Sequence, residues 1–163
     1  MSQAPLQIRS ATPDDAALLH ELVTALAVYE REPDAVKASP DALRASLFGE
    51  GATANALICE QDGQALGFAV YFFNYSTWLG RNGLYLEDLF VRPQARGQGA
   101  GLALLRHLAQ LAVQRGCGRF EWSVLDWNAP AIALYQAVGA RPMEGWTVYR
   151  LDGERLAAFA AGA

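Results

Sequence analysis

The segment that most constrains the fold runs from Glu87 to Gly101, where an apolar strand leads into a glycine-rich turn and then a helix. The strand, Leu84 to Val91, is stopped by Pro93, and apolar residues at helical spacing continue from Gly101 to Arg115. A strand that feeds a helix through a short turn is typical of an α/β protein.

The rest of the chain predicts further strands and helices around this unit. A Thr12-Pro13 start begins a helix that reaches Glu30, and Ser39-Pro40 begins a shorter one ending near Gly49. Other strands are predicted at Leu6–Arg9, Asn55–Glu60, Ala65–Tyr75, Phe120–Leu125 and Trp146–Leu151, and other helices at Pro130–Val138 and Glu154–Ala160, with a loop at Ser76–Gly83. The predicted order is β-α-α-β-β-β-α-β-α-β. Early hairpins and later strand-helix units predict a mixed, mostly antiparallel central sheet flanked by helices on both faces.

Composition narrows the class of protein. Of 163 residues, 52% are apolar and 18% charged, which predicts one globular domain over residues 1–163. No apolar run is long enough for a membrane span and the N-terminus has no signal core, so we expect a cytoplasmic protein without membrane contact. The single lysine, Lys37, argues against nucleic-acid binding, and Cys59 and Cys117 lack the neighbours that a metal site needs.

The glycine-rich turn Arg96-Gly97-Gln98-Gly99-Ala100-Gly101 has two interpretations. Its glycines allow a tight backbone close to a ligand, and the helix that follows offers unpaired amides, which together suit a pyrophosphate. It departs from both the P-loop and the dinucleotide fingerprint. The alternative is a glycine-rich connection without a ligand.

Two adjacent carboxylates, Glu87 and Asp88, interrupt the apolar strand before this turn. Adjacent strand residues point to opposite faces, so we expect at least one of the two to be buried or to line a cleft. A carboxylate in that setting has a raised pKa and can act as a base. The alternative is a carboxylate paired with an arginine.

The sequence LYLEDLFVRPQARGQGAGLALL resembles the acetyl-CoA signature of the GNAT superfamily of N-acetyltransferases. The stretches YSTWLGR, VLDWN and EGW are similar to the diamine acetyltransferase group, which contains spermidine/spermine and thialysine acetyltransferases, and they are closer to the thialysine branch. The resemblance implies acetyl-CoA as cosubstrate, no metal, a small-molecule amine as acceptor, and a homodimer whose contact surface could include Phe72 to Trp78.

The resemblance also implies a place for the cosubstrate. The strand before the glycine turn is expected to splay from Phe120–Leu125, and the pantetheine arm to pair with strand backbone in that gap. The residues implied are Leu89, Phe90 and Val91 for the arm, Arg96, Gly97, Gln98, Gly99, Ala100, Gly101 and Leu102 for the pyrophosphate, and Asn128, Ala129, Pro130 and Ala131 at the next helix.

For the chemistry, the resemblance implies Tyr135 as the acid that protonates the CoA sulfur and Glu87 as the base, directly or through water. Asp88 either assists or is structural, and the amide of Leu89 is a candidate to polarise the carbonyl. The substrate residues implied are Tyr29, Glu30, Glu87, Asp88, Glu144 and Trp146.

One departure from the group concerns the acceptor. Spermine-type enzymes carry an acid before Trp78, whereas this chain reads Asn74-Tyr75-Ser76-Thr77 there, which favours a shorter acceptor such as a lysine-like amino acid or a diamine. Two alternatives remain open at this point: a catalytically silent CoA-binding regulatory module, and a protein N-acetyltransferase.

Overall fold

The computed structural model describes residues 4–163, which form two compact units, one up to residue 127 and one from residue 128 to residue 163. The elements of the first unit are β1 (Gln7–Ser10), α1 (Ala16–Tyr29), α2 (Pro40–Phe48), β2 (Ala54–Gln61), β3 (Gln64–Ser76), β4 (Arg81–Val91), α3 (Ala100–Gln114) and β5 (Phe120–Trp122). Those of the second are α4 (Ala129–Ala137) and α5 (Gly153–Ala160). That the whole chain is one domain stays a prediction.

The five strands form one sheet in the order β1-β2-β3-β4-β5. The first three pairings are antiparallel and join neighbours along the chain, whereas β5 pairs with β4 in parallel after the crossover through α3. The predicted mixed, mostly antiparallel sheet is therefore confirmed.

The core lies on both faces of this sheet. On one face, Leu19, Leu22 and Leu26 of α1 pack against the sheet residues Ile58, Phe68 and Phe90 in one buried cluster. The alternate strand residues, such as Leu57 and Ala69, are also buried and point to the other face, where α3 contributes buried leucines. Helices thus cover both faces, as the sequence predicts.

Both proline-marked helix starts are confirmed. A short 3-10 turn, Pro13–Asp15, leads into α1, and the Asp15 carboxylate accepts a hydrogen bond of 2.7 Å from the backbone N–H of Thr12. At α2 the Ser39 hydroxyl accepts a bond of 3.1 Å from the backbone N–H of Ala42, which satisfies an amide that the first turn leaves unpaired.

Two boundaries differ from the prediction. The expected loop Ser76–Gly83 shrinks to a turn, because β3 and β4 continue pairing as far as Ser76 opposite Arg81. Polar composition there indicates exposure to solvent, not a loss of strand pairing. In the other direction, β5 ends at Trp122 rather than Leu125, since its ladder with β4 covers only three pairs.

Within residues 128–163, one prediction is wrong. Trp146–Leu151 has the composition of a strand, yet it has no regular structure, and Trp146, Val148 and Tyr149 are exposed. A strand needs a backbone partner, and the only regular elements in this unit are the helices α4 and α5. The propensity of the side chains is therefore not realised as a strand here.

Candidate active site

A break in the β3–β4 register lies at the two carboxylates of β4. Val70 pairs with Asp88 and Tyr71 pairs with Leu86, so Glu87 is an extra residue, a β-bulge. The bulge interrupts the regular alternation that the sequence analysis assumed for this pair. Asp88 shares the face of Phe90, which packs towards α1. Bulges re-aim side chains and are frequent beside active sites.

Burial and charge both act on Asp88. Partial burial, followed by the charges of Glu87 and Glu30, raises the pKa of Asp88 from 3.8 to about 6. Burial also raises the pKa of Glu30, which follows the last residue of α1. We call Glu30, Glu87 and Asp88 the acid group. We expected at least one strand carboxylate to be buried or to line a cleft and to have a raised pKa. Asp88 is half-buried and its pKa is raised, whereas Glu87 is exposed.

The edge of β4 opens at the bulge. On the β5 side, β4 is paired only from Leu84 to Leu86, and no strand among residues 4–163 continues this ladder along Glu87–Val91. This is the splayed arrangement that the resemblance implies. Unpaired strand backbone can take an extended ligand that carries amide groups, so Leu89–Val91 are suitably placed for one.

The glycine-rich turn follows that open edge. Gly97 and Gly99 have φ values of 78° and 84°, a left-handed conformation that side-chain-bearing residues rarely adopt, and a Cβ atom added at either would meet only open space. The first helical residue after Gly99 is Ala100, so the unpaired amides of α3 face the turn. The donors and the room that a pyrophosphate requires are therefore both present.

A stack of arginine and aromatic side chains joins the turn to the end of α1. The Arg96 guanidinium carbon lies 4.6 Å from the centroid of the Tyr29 ring, and Arg96 also donates to the carbonyl of Val91 at 3.3 Å. The Tyr29 ring lies 5.9 Å from that of Trp127, and Arg31 covers Trp127 at 4.0 Å. The residues implied for the cosubstrate and for the acceptor are thus in contact through Arg96 and Tyr29.

The remaining predicted site residues belong to the second unit. The Asn128 side chain accepts a hydrogen bond of 3.4 Å from the backbone N–H of Ala131 at the start of α4. Tyr135 is half-buried on α4, while Glu144 and Trp146 are exposed in the irregular segment that follows. The roles implied for these residues stay predictions.

Two side chains of the stack are absent from the sequence-based site. These are Trp127 and Arg31, neither of which is among the residues that the resemblance implies for the cosubstrate or the acceptor. The available signals were the position of Trp127 within the VLDWN stretch and the position of Arg31 directly after Tyr29-Glu30.

Two general features of the described part of the chain bear on function. No group of three or more His, Cys, Asp or Glu side chains within residues 4–163 has the geometry to hold a metal ion. Over the same residues, no helix has both the length and the apolar character needed to cross a bilayer.

Comparison with known proteins agrees with this geometry. Residues 19–140 match the acetyltransferase (GNAT) family. A thialysine N-epsilon-acetyltransferase from Sus scrofa is 40% identical over 164 residues, covering 94% of this chain and 96% of the relative. An L-ornithine N5-acetyltransferase from Arabidopsis thaliana is 30% identical, covering 93% and 86%. Among solved structures, an integron cassette protein from the mobile metagenome of V. cholerae has a TM-score of 0.81 at 28% identity, covering 95% and 97%. The chain therefore belongs to the GNAT family and is an N-acetyltransferase.

Proposed function

We propose that the protein transfers an acetyl group from acetyl-CoA to the primary amine of a small cationic acceptor, with a lysine-like amino acid such as thialysine ahead of diamines and polyamines. The observation that carries the proposal is the acid group beside the open edge of β4. It combines a site for a cation with unpaired strand backbone for an amide-bearing arm.

The acid group supplies binding for the acceptor. A primary amine is an ammonium ion in neutral solution, so carboxylates that are short of cationic partners attract it. The pKa of Asp88, about 6, leaves its carboxylate mostly ionised at neutral pH. Protonation of Asp88 below that pH is expected to raise the KM for the amine.

The reaction begins at the nitrogen of the acceptor. Glu87 accepts the proton of the ammonium, directly or through water, and the free amine attacks the acetyl carbon. The new C–N bond forms as the C–S bond breaks, and the sulfur leaves with the electron pair. Tyr135 gives its proton to that sulfur, and the acylated nitrogen loses its second proton, which restores the Tyr135 hydroxyl and leaves a neutral amide. The Leu89 amide, just beyond the bulge, polarises the carbonyl during the attack.

The cosubstrate site follows from the same segment. Leu89, Phe90 and Val91 hold the arm through their backbone, because the Phe90 side chain is itself part of the core. The turn from Arg96 to Leu102 holds the pyrophosphate, with Asn128–Ala131 as further contacts. Acetyl-CoA brings the activated acyl group as a thioester, and the protein binds and orients it.

Two observations support an amino-acid acceptor. Relatives at 40% and 30% identity are named for acetylation of a side-chain amine, that of thialysine in one case and that of ornithine in the other. The stretch Asn74–Thr77 contains no acid that could take a further ammonium of a long polyamine. Both favour a short acceptor.

The test is a panel assay that follows release of free CoA thiol with thialysine, lysine, putrescine, spermidine and a peptide. Thialysine or lysine should give the highest kcat/KM. Turnover of the peptide alone would establish a protein N-acetyltransferase instead. Binding of CoA without turnover of any amine would establish a regulatory module.

We also propose that the protein is a homodimer and that the hairpin around Trp78 is part of its contact surface. Trp78 is 88% exposed and its neighbours Tyr75 and Leu79 are also exposed, which is unusual for large apolar side chains. Sedimentation of the purified protein should give twice the chain mass. A Trp78→Ser variant should shift the equilibrium towards the monomer, and an unchanged dimer would move the interface elsewhere.

A further inference from the structure

The end of α1 carries a backbone feature that its sequence does not favour. The backbone N–H of Arg31 donates to the carbonyl of Val28 at 3.1 Å, and that of Glu32 donates to Ala27 at 2.9 Å. This pair of bonds ends a helix with one residue in the left-handed conformation, usually a glycine. Arg31 occupies that position with a φ of 66°.

An arginine in this conformation is unfavourable, because its Cβ atom approaches the following carbonyl oxygen too closely. Strained residues of this kind persist where the surroundings hold them, and they cluster at functional sites. For Arg31 the holding contact is the stack of its guanidinium on Trp127 at 4.0 Å. The stack fixes the guanidinium over Trp127, whose ring lies 5.9 Å from that of Tyr29.

Within the described part of the chain, the charge of Arg31 is not paired with a carboxylate. No salt bridge among residues 4–163 includes Arg31 or Arg96, and both guanidiniums lie on aromatic rings instead. One face of the Arg31 guanidinium is covered by Trp127, while the residue as a whole remains exposed. Its N–H groups are thus available to an anion, which a planar guanidinium binds with two parallel hydrogen bonds.

The acid group and these arginines give the site two ends of opposite charge. Burial and then the charges of Glu87 and Glu30 raise the pKa of Asp88. None of these three carboxylates forms a salt bridge within residues 4–163, so the acid group is a negative end. An amino acid with a side-chain amine matches both ends, through its ammonium at the acids and its carboxylate at a guanidinium. A diamine or polyamine has no carboxylate and brings a further cation towards the arginines.

We propose that Arg31 is a specificity-determining residue that binds the carboxylate of an amino-acid acceptor, a role that rests on the proposed function. Trp127 holds the guanidinium in place, and the same ring contacts Tyr29, which precedes Glu30 of the acid group. Arg96 is already engaged with Tyr29 and Val91 at the glycine turn. Arg31 is therefore the cation that binds the carboxylate of the acceptor.

The experiment compares thialysine with its decarboxylated counterpart, bis(aminoethyl) sulfide, and takes the ratio of the two kcat/KM values. Arg31→Gly should fold, because glycine suits the left-handed position, and thermal denaturation checks this. The ratio should fall about 10-fold or more, through the KM for thialysine, as expected for the loss of a charge-assisted hydrogen bond. Arg31→Lys should restore part of the ratio, since it keeps the charge without the planar fork.

A matched control is Asp62→Gly, which relieves the other left-handed non-glycine residue among those described, at φ 51° in the β2–β3 turn. It should leave the ratio at the wild-type value. If Arg31→Gly lowers kcat/KM by the same factor for both amines, the ratio stays at the wild-type value. That result would overturn the proposal that Arg31 binds the carboxylate. Wild-type protein that acetylates neither compound would instead defeat the proposed function itself.

Discussion

The charge of Asp88 should reduce the stability of the folded protein, so Asp88→Asn should raise it. The carboxyl has an ordinary pKa of 3.8 and a folded pKa of about 6, so the folded state binds its proton more tightly than the unfolded state does. Stability therefore falls as the pH rises from about 4 to about 6 and stays low above that range. At pH 7 the full shift corresponds to roughly 3 kcal/mol, an upper bound because an amide must still find hydrogen-bond partners.

The pH dependence makes this prediction specific. The gain in Asp88→Asn should shrink to about 1.5 kcal/mol at pH 5 and about 0.5 kcal/mol at pH 4, where the wild-type carboxyl is protonated in the folded state. Urea denaturation at the three pH values measures the free energy of unfolding. The exposed Glu50→Gln serves as control and should change it little. No gain at pH 7, or a gain that persists undiminished at pH 4, would refute the reasoning.

Three further predictions concern other parts of the molecule. Tyr135→Phe should lower kcat by ~100-fold or more while calorimetry finds an unchanged CoA affinity, and an unchanged kcat would remove Tyr135 from the mechanism. Gly99 has a φ of 84°, a conformation that is unfavourable for alanine by about 1 kcal/mol or more, so Gly99→Ala should lower the Tm and weaken CoA binding. A CoA affinity equal to that of the wild type would argue against a role for the turn. The hydrogen bond from Arg9 lowers the pKa of Asp15 to about 2. The Arg9–Asp15 ion pair therefore stabilises the fold above about pH 4, and this stabilisation is lost as the pH falls towards 2. Asp15→Asn should remove about 1 kcal/mol at pH 7, measured by urea denaturation, and a variant as stable as wild type would show that the pair contributes nothing.

Much of the fold could be predicted because its signals are local. Thr12-Pro13 and Ser39-Pro40 mark helix starts through bonds within one turn, and alternating or continuous apolar runs mark the strands. The prediction of a strand at 146–151 is wrong because side-chain propensity indicates only an extended segment, whereas a strand also requires a second strand to pair with. β5 ends earlier than predicted for the same reason, because its pairing with β4 stops at Trp122.

The site divides in the same way. The carboxylates of β4 and the glycine turn lie within one short stretch of the chain, so the sequence alone indicates them. The bulge at Glu87 depends on the register with β3, a property of two strands that neither shows alone. The contact of Arg31 with Trp127 joins residues almost a hundred positions apart, and no periodicity in the chain could indicate it.

The most direct test of the central claim is the rate of acetyl transfer from acetyl-CoA to thialysine, followed by release of free CoA thiol and by mass of the product. Wild-type protein should turn over many times and yield singly acetylated thialysine, modified on the side-chain amine. Protein that binds CoA but transfers no acetyl group to thialysine, lysine or a diamine would contradict the account.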